Sequence, residues 1–221
     1  MEKAEAKIFY INGGATTVKS AANGISLLPV VSDPAADFNN GRNQTMEKAE
    51  ESLLKKLFCK MLNDVYNAEK QLLDGLPGLQ AAATTLKLKK AFELQLQQTA
   101  RHIDRLERIF ELIDKKMQEK TCAAMEGLIT ESKSMIRDTK DGTIIRDIAL
   151  IVASQKIGHY EITTYANLVQ LALITGLATA AEVLDRILME EEGTDELLSR
   201  IADILINIEA GENNSVYRWN T

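Results

Sequence analysis

The chain has 221 residues, 45% of them hydrophobic and 26% charged, a composition typical of a soluble protein with a sizeable core. Its net charge of −6 disfavours general binding to nucleic acid, and no apolar run approaches the ~18 residues that a membrane span needs. Three prolines and 5% aromatic residues favour helices over sheets. Because residues 1–30 also lack the pattern of a secretory signal, we expect a soluble, cytoplasmic, all-α protein.

Residues 1–45 differ from the rest of the chain. Glycines, prolines and the stretch Asn39–Asn43 punctuate them, and no helical stripe of apolar residues persists. Their charged residues balance, so the acidic excess belongs to the remainder of the chain. We therefore predict a flexible extension, with Lys7–Ile11 briefly ordered. The helical part opens at Met46, where translation could also begin.

From Thr45 onward, apolar residues recur at the three- and four-residue spacing that is typical of helices. The predicted helices run from about Glu47 to Ala83, Thr85 to Lys116, Cys122 to Arg137, Thr143 to Thr175 and Thr179 to Glu209. Gly75, Pro77 and Gly78 should kink or interrupt the first helix, because proline removes a backbone donor and clashes with the preceding turn.

Threonines mark the starts of the last two predicted helices. Thr143 can cap the fourth, and Thr179 with Glu182 has the spacing of a capping box at the start of the fifth. Gly176 should end the fourth helix. Four long helices and one short helix predict a four-helix bundle over residues 46–210, followed by a polar tail at 211–221.

Each long helix carries an ionisable residue in line with its apolar stripe. These residues are Glu69, His102, Glu161 and Glu191. A buried carboxylate costs several kcal/mol unless it is paired or bound to a metal. Three carboxylates and a histidine that converge from four helices are the arrangement expected around a dinuclear metal. The alternative is that these groups lie at helix edges or hydrogen-bond to Tyr66, Tyr160, Tyr165 and the glutamines, and the pattern leaves both open.

The helical region, from about residue 53 to 208, resembles the YciE/YciF family of stress proteins. The matching stretches are LFCKMLNDVYNAEKQLLDGLP at 57–77, AFELQLQQTARHIDRLERIFE at 91–111, CAAMEGLITES at 122–132, HYEITTY at 159–165 and LMEEEGTDELL at 188–198. This resemblance implies a ferritin-like bundle with a short helix in the crossover, a homodimer, a role in bacterial stress responses and a dimetal site. The family's biochemical activity is poorly defined, so no substrate follows from it.

The chain departs from the family at three positions near the implied site. The in-line glutamates and the pair His159-Tyr160 match the family pattern. Gln95, however, stands where the family often has His, Gln98 where it has Glu, and Gly158 where it favours Glu. Because glutamine is a neutral and weak ligand, a Glu-to-Gln exchange removes charge that would balance the cations.

The predicted metal site is therefore incomplete. Its in-line ligands are Glu69, His102, Glu161 and Glu191, and the helpers displaced around their helices are His159, Glu190 and Asp195. A carboxylate-bridged di-iron centre usually has about four carboxylates and two histidines. The set here could hold one metal or two weakly, or it could be a metal-free polar core. The missing ligands favour impaired or absent binding of iron or manganese.

Two functions of different classes remain open. The first is a ferritin-like stress protein that binds iron or manganese weakly and turns over peroxide or oxygen. The second is a non-enzymatic dimeric helical protein that acts through its surface without a metal. No nucleophile motif or glycine-rich phosphate loop supports other chemistry, so catalytic residues and a small-molecule substrate stay unassigned. Cys59 and Cys122 are expected to be reduced thiols, with a disulfide as the alternative.

Overall fold

The structure is a computed structural model that describes residues 9–11, 14–16 and 34–214, with side chains described for 49–208. The elements are β1 Phe9–Ile11, β2 Gly14–Thr16, α1 Pro34–Ala82, α2 Leu86–Leu112, α3 Ala123–Asp138, α4 Ile144–Ile174 and α5 Ala178–Asn214. β1 and β2 pair antiparallel, with Phe9 opposite Thr16. The chain divides into two compact units, Met1–Gln44 and Thr45–Thr221. None of the described helices combines the length and apolarity that crossing a bilayer requires.

The first helix begins earlier than the sequence predicts. α1 starts at Pro34, so the predicted start near Glu47 is wrong, and the first turns of α1 lie within the stretch assigned to an extension. Proline is favoured in the first turn of a helix, because its missing N–H would have no intrahelical partner there. The rest of residues 1–45, apart from β1 and β2, lies outside the described residues, so their predicted flexibility stays a prediction.

α1 also continues past the residues that were expected to interrupt it. The helix runs through Pro77 to Ala82 without a break. Leu76 and Leu79 are both buried in the core on either side of the proline. Their packing holds the segment against the bundle, which shows tertiary contacts overriding a low helix propensity.

The caps of the later helices are partly as predicted. Thr85 and Thr143 cap α2 and α4, each accepting a hydrogen bond from a backbone N–H three residues on. Gly176 ends α4 with a φ of 76°, a conformation that glycine adopts without strain. The predicted capping box at Thr179 is wrong, because α5 begins at Ala178 and the Ala181 N–H already bonds to a backbone carbonyl before Thr179.

Two apolar clusters fill the bundle. The first includes Leu72, Phe92, Ile151 and Leu198, and the second includes Leu62, Leu106, Leu168 and Leu184. Along α1 and α5 the chain passes from the second cluster to the first, whereas along α2 and α4 it passes the other way. α2 and α4 therefore run in the same direction, so the connection that contains α3 crosses the length of the bundle. This arrangement confirms the predicted ferritin-like four-helix bundle with a short helix in its crossover.

Candidate metal centre

A layer of ionisable side chains lies between the two apolar clusters. Glu69 of α1, His102 of α2, Glu161 of α4 and Glu191 of α5 are each at most 2% exposed. On every long helix, the residue of this layer separates the leucines of one cluster from those of the other. The apolar stripes on either side drive the helix face inward and bury the polar residue with it. The sequence pattern therefore places all four side chains inside the bundle.

Three of these side chains come together at one point. His102 Nδ1 lies 3.2 Å from Glu69 Oε1 and 3.2 Å from Glu191 Oε1. One nitrogen of the imidazole and one oxygen of each carboxylate all lie within 4.8 Å of one another. Two carboxylate oxygens and an imidazole nitrogen from three helices form a ligand set that is compatible with a metal ion.

The other ring nitrogen of His102 is held by a second carboxylate. Nε2 lies 3.0 Å from Glu190 Oε2, and the other oxygen of Glu190 accepts a hydrogen bond of 2.8 Å from Arg105. Partial burial raises the pKa of Glu190, but the hydrogen bonds and charges of Arg105 and His102 together outweigh burial and lower the pKa. Glu190 is thus an ionised acceptor for Nε2–H. A carboxylate on the far nitrogen fixes the orientation of a metal-ligating histidine and leaves Nδ1 free to face the metal.

Without a metal, a proton on Nδ1 takes the central position. Burial lowers the pKa of His102, but hydrogen bonds to Glu191 and Glu69, together with their negative charges, outweigh burial and raise the pKa to about 10. At neutral pH the imidazolium therefore donates hydrogen bonds from both ring nitrogens. This cation balances part of the negative charge of the layer.

The remaining carboxylate oxygens of the layer have no hydrogen-bond partner among the described residues. They are Glu69 Oε2, Glu191 Oε2 and both oxygens of Glu161. Burial, followed by the charges of Glu191 and Glu69, raises the pKa of Glu161 well above its ordinary value. Buried polar oxygens normally find partners, so this concentration of four unpartnered oxygens fits a site for a cation.

Tyr165 adds a hydroxyl to the centre. Its side chain is fully buried, and its hydroxyl donates a hydrogen bond to Glu69 Oε1. Burial and the neighbouring glutamate charges raise the pKa of Tyr165 well above its ordinary value, so it stays protonated. Tyr165 also belongs to the apolar stripe of α4, which is why the sequence pattern presents it mainly as a core residue.

Of the additional ligands that the sequence suggests, only some contact the centre. Glu190 joins the centre through His102, whereas His159 is 67% exposed and lies 3.3 Å from Asp195 Oδ1. The sequence pattern missed Arg105, although it follows His102 by three residues and so lies on the same face of α2.

At the positions that depart from the family pattern, the two glutamines hydrogen-bond to other side chains and the glycine has no side chain to contribute. Gln95 Oε1 accepts a hydrogen bond from Ser154, and Gln98 Oε1 accepts one from Thr194. Gly158 is buried, and apart from its chain neighbours and the nearby backbone of α4, no described heavy atom lies within 4 Å of the place where a Cβ would stand. A Cβ atom would therefore fit at position 158, but glycine has no side chain that could act as a ligand.

The family of the chain follows from its relatives. A model of the domain of unknown function DUF892 matches residues 53–211. Protein YciF of Escherichia coli (strain K12) is 40% identical over 152 residues, which cover 68% of this chain and 89% of that protein.

Solved structures agree with this assignment. The crystal structure of the E. coli stress protein YciF matches with a TM-score of 0.68 at 39% identity, covering 70% of this chain and 97% of that chain. YcfI from Rhodopseudomonas palustris matches with a TM-score of 0.63 at 29% identity, covering 66% of this chain and 92% of that chain. The chain therefore belongs to the DUF892 family, the YciE/YciF family that its sequence resembles.

Proposed function

We propose that this protein is a cytoplasmic, stress-associated member of its family that binds one iron or manganese ion in the middle of the bundle. Glu69, His102 Nδ1 and Glu191 are the ligands, and Glu161 is the further carboxylate beside them. The observation that carries the proposal is the set of four buried carboxylate oxygens without hydrogen-bond partners. A divalent cation would satisfy these oxygens and compensate their charge.

The ligand count favours one ion over two. Three carboxylates and one histidine fall short of the roughly four carboxylates and two histidines of a typical di-iron centre. Gln98 and Gly158 supply neither charge nor a ligand, and the amide of Gln98 is engaged by Thr194. A second cation would therefore lack both donors and compensating charge.

The surrounding residues have defined tasks at such a centre. A bound iron or manganese ion would supply one-electron chemistry toward peroxide or oxygen. Glu190 holds Nε2–H of His102, and Arg105 holds Glu190. Tyr165 anchors Glu69 and keeps a hydroxyl proton beside the ligands. The two apolar clusters on either side exclude water from the layer.

Metal content tests the proposal directly. The protein is purified without chelator, and metal is measured by plasma mass spectrometry before and after anaerobic loading with Fe²⁺ or Mn²⁺. We expect up to one equivalent per chain after loading, and a clear loss of bound metal in Glu69→Gln and Glu191→Gln. The exposed neighbour Glu192 provides the matched control, since Glu192→Gln removes the same charge from the same helix. Far less than one equivalent in the loaded wild-type protein would overturn the proposal.

A second candidate function is a metal-free dimeric protein that acts through its surface. The observation that favours it is the protonated His102, which already ties Glu69, Glu190 and Glu191 together without a metal. Ile145 and Val152, which are 57% and 42% exposed, lie one heptad apart on α4 and offer apolar surface to a second copy.

Measuring the oligomeric state tests the dimer that this second candidate function requires. Light scattering coupled to size exclusion should give a dimer for the wild-type protein and a monomer for the double variant Ile145→Lys and Val152→Lys. A wild-type monomer at micromolar concentration would contradict dimerisation. A cellular stress defect in Glu161→Gln, with the fold and dimer intact, would argue for the metal centre instead.

A further inference from the structure

A cleft lined by lysines lies between α1 and the connection from α2 to α3. Its volume is about 220 Å³, and Lys60, Lys115, Lys116 and Lys120 line it together with a single acidic residue, Asp64. This is a local excess of positive charge in a chain whose net charge is −6. Lys60 lies on α1 and the other lysines lie in the connection between α2 and α3, so no contiguous sequence motif predicts the cleft.

Most of these ammonium groups have no partner of opposite charge among the described side chains. Lys120 Nζ lies 3.6 Å from Asp64 Oδ1. Among the side chains described for residues 49–208, no carboxylate lies within 4.0 Å of the Nζ of Lys60, Lys115 or Lys116. Like charges gathered in one cleft repel one another, and water screens part of this repulsion because the three lysine side chains are exposed. An anion bound between them would offset that repulsion.

The lysine-bearing wall of the cleft is held in place by side-chain amides of α1. Asn63 donates to the Gln118 carbonyl at 3.0 Å and accepts from the Gln118 N–H at 2.7 Å. One turn further along α1, Asn67 donates to the same carbonyl at 2.9 Å and accepts from the Lys120 N–H at 3.1 Å. The backbone of this connection is therefore bound to α1 at Gln118 and at Lys120. A preorganised site loses less entropy when a ligand binds.

A second cavity extends the cleft along α1. It has a volume of about 530 Å³, shares Cys59 and Lys115 with the first, and adds Lys55 and Lys56 to the lining. Lys55 is paired with Glu51 at 2.6 Å, so Lys56 is the added lysine without a carboxylate partner among the described side chains. Lysines that line two adjoining cavities suit a ligand with several anionic groups in a chain.

We propose that this cleft binds a compact polyanion with several linked phosphate groups. The phosphate oxygens lie among Lys60, Lys115 and Lys116, and the Asn63 and Asn67 amides hold the backbone at Gln118 and Lys120 that follows the last two lysines. The site is independent of the metal centre, because none of its residues belongs to the buried layer. Inorganic triphosphate and the triphosphate of a nucleotide share this chemistry.

Calorimetric titration with inorganic triphosphate at low ionic strength tests the proposal on the full chain. We expect saturable binding to the wild-type protein, and affinity at least about tenfold weaker in the double variant Lys60→Glu and Lys116→Glu. The charge-matched control is Lys87→Glu with Lys90→Glu, two exposed lysines at the opposite end of α2. Circular dichroism verifies that both variants keep the helical fold.

Each outcome decides the matter. Retained wild-type affinity in the control supports the site, whereas absence of saturable binding to wild type, or equal weakening in both double variants, overturns it. Adenosine triphosphate binding as tightly as inorganic triphosphate indicates that the phosphate chain alone is recognised, and tighter binding indicates a nucleotide. Asn67→Ala should weaken triphosphate binding as well, because it releases the wall without changing the net charge.

Discussion

At the scale of single residues, the His102 imidazolium is surrounded by more carboxylate oxygens than its two N–H groups can hydrogen-bond. His102 Nδ1 faces one oxygen of Glu69 and one of Glu191, and Nε2 faces Glu190. Glu161 has no hydrogen-bond partner for either oxygen among the described residues. A buried carboxyl group without partners opposes folding. Glu161 therefore destabilises the folded protein in the absence of a cation.

Replacing Glu161 with glutamine should stabilise the metal-free protein at pH 8 by about 1–3 kcal/mol, because the folded protein no longer has to bury an uncompensated charge or take up a proton to neutralise it. The same change should weaken metal binding, since glutamine carries no charge. Urea unfolding with and without Mn²⁺ measures both effects. The exposed neighbour variant Glu192→Gln should alter neither. A less stable metal-free Glu161→Gln protein would mean that this carboxylate makes a stabilising interaction.

The stability of the metal-free protein should fall as the pH rises above neutrality. The pKa of His102 is raised from 6.5 to about 10, so the folded state holds its proton more tightly than the unfolded state. Its contribution is fully present below pH 6.5 and is lost as the pH rises through about 10. The raised pKa of Glu161 acts in the same direction.

The difference between the unfolding free energies of the wild-type protein and His102→Gln, measured by urea unfolding between pH 6 and pH 10, removes the contribution of distant titrating groups and reports His102 together with the glutamates it contacts. We expect the difference to shrink steadily with rising pH. A constant difference across that range would contradict a protonated His102 in the folded protein.

At the scale of helices, one carboxylate joins the starts of α2 and α4. Asp147 is completely buried near the start of α4, and its two oxygens accept hydrogen bonds from the Thr84 N–H at 2.6 Å and the Thr85 N–H at 2.8 Å. These N–H groups precede α2, where the helix dipole also favours a negative charge. A residue of α4 thus supplies part of the N-terminal cap of α2.

Asp147→Ala should destabilise the protein by about 1–3 kcal/mol, because it leaves two backbone donors without their acceptor. Chemical denaturation gives the free energy, and hydrogen exchange should accelerate first at Thr84 and Thr85. Asp138→Ala, which removes an exposed carboxylate at the end of α3, is the control. Unchanged exchange at Thr84 and Thr85 would show that other groups cap α2.

At the scale of the whole molecule, the polar layer connects all four long helices between two apolar clusters. A metal in this layer would bind side chains of three or four helices at once, and unfolding would release it. The protein should therefore gain about 2.7 kcal/mol of stability when free Mn²⁺ is a hundred times its dissociation constant. Calorimetric melting with increasing Mn²⁺ measures this gain.

Glu191→Gln should remove most of the metal-dependent gain, while Glu192→Gln should keep it. A melting temperature that does not respond to Mn²⁺ or Fe²⁺ in the wild-type protein would agree with the metal-free alternative. Triphosphate should stabilise the protein separately, because the lysine cleft shares no residue with the polar layer.

The sequence by itself determined the helical elements and the inward direction of the polar residues. Both follow from local periodicity, since a residue three or four positions from a buried leucine shares its face. Glu69, His102, Glu161 and Glu191 could be singled out for this reason. The motifs shared with the YciE/YciF family specified the bundle topology.

Only the tertiary structure decided which of these polar side chains contact one another. The axial register and rotation of each helix depend on how its side chains pack against the others, and local spacing does not contain that information. This is why Glu190 and Arg105 hold His102, why Glu161 lacks a partner, and why α1 continues through Pro77. The lysine cleft likewise brings together α1 and a distant stretch of backbone, which amides of α1 bind.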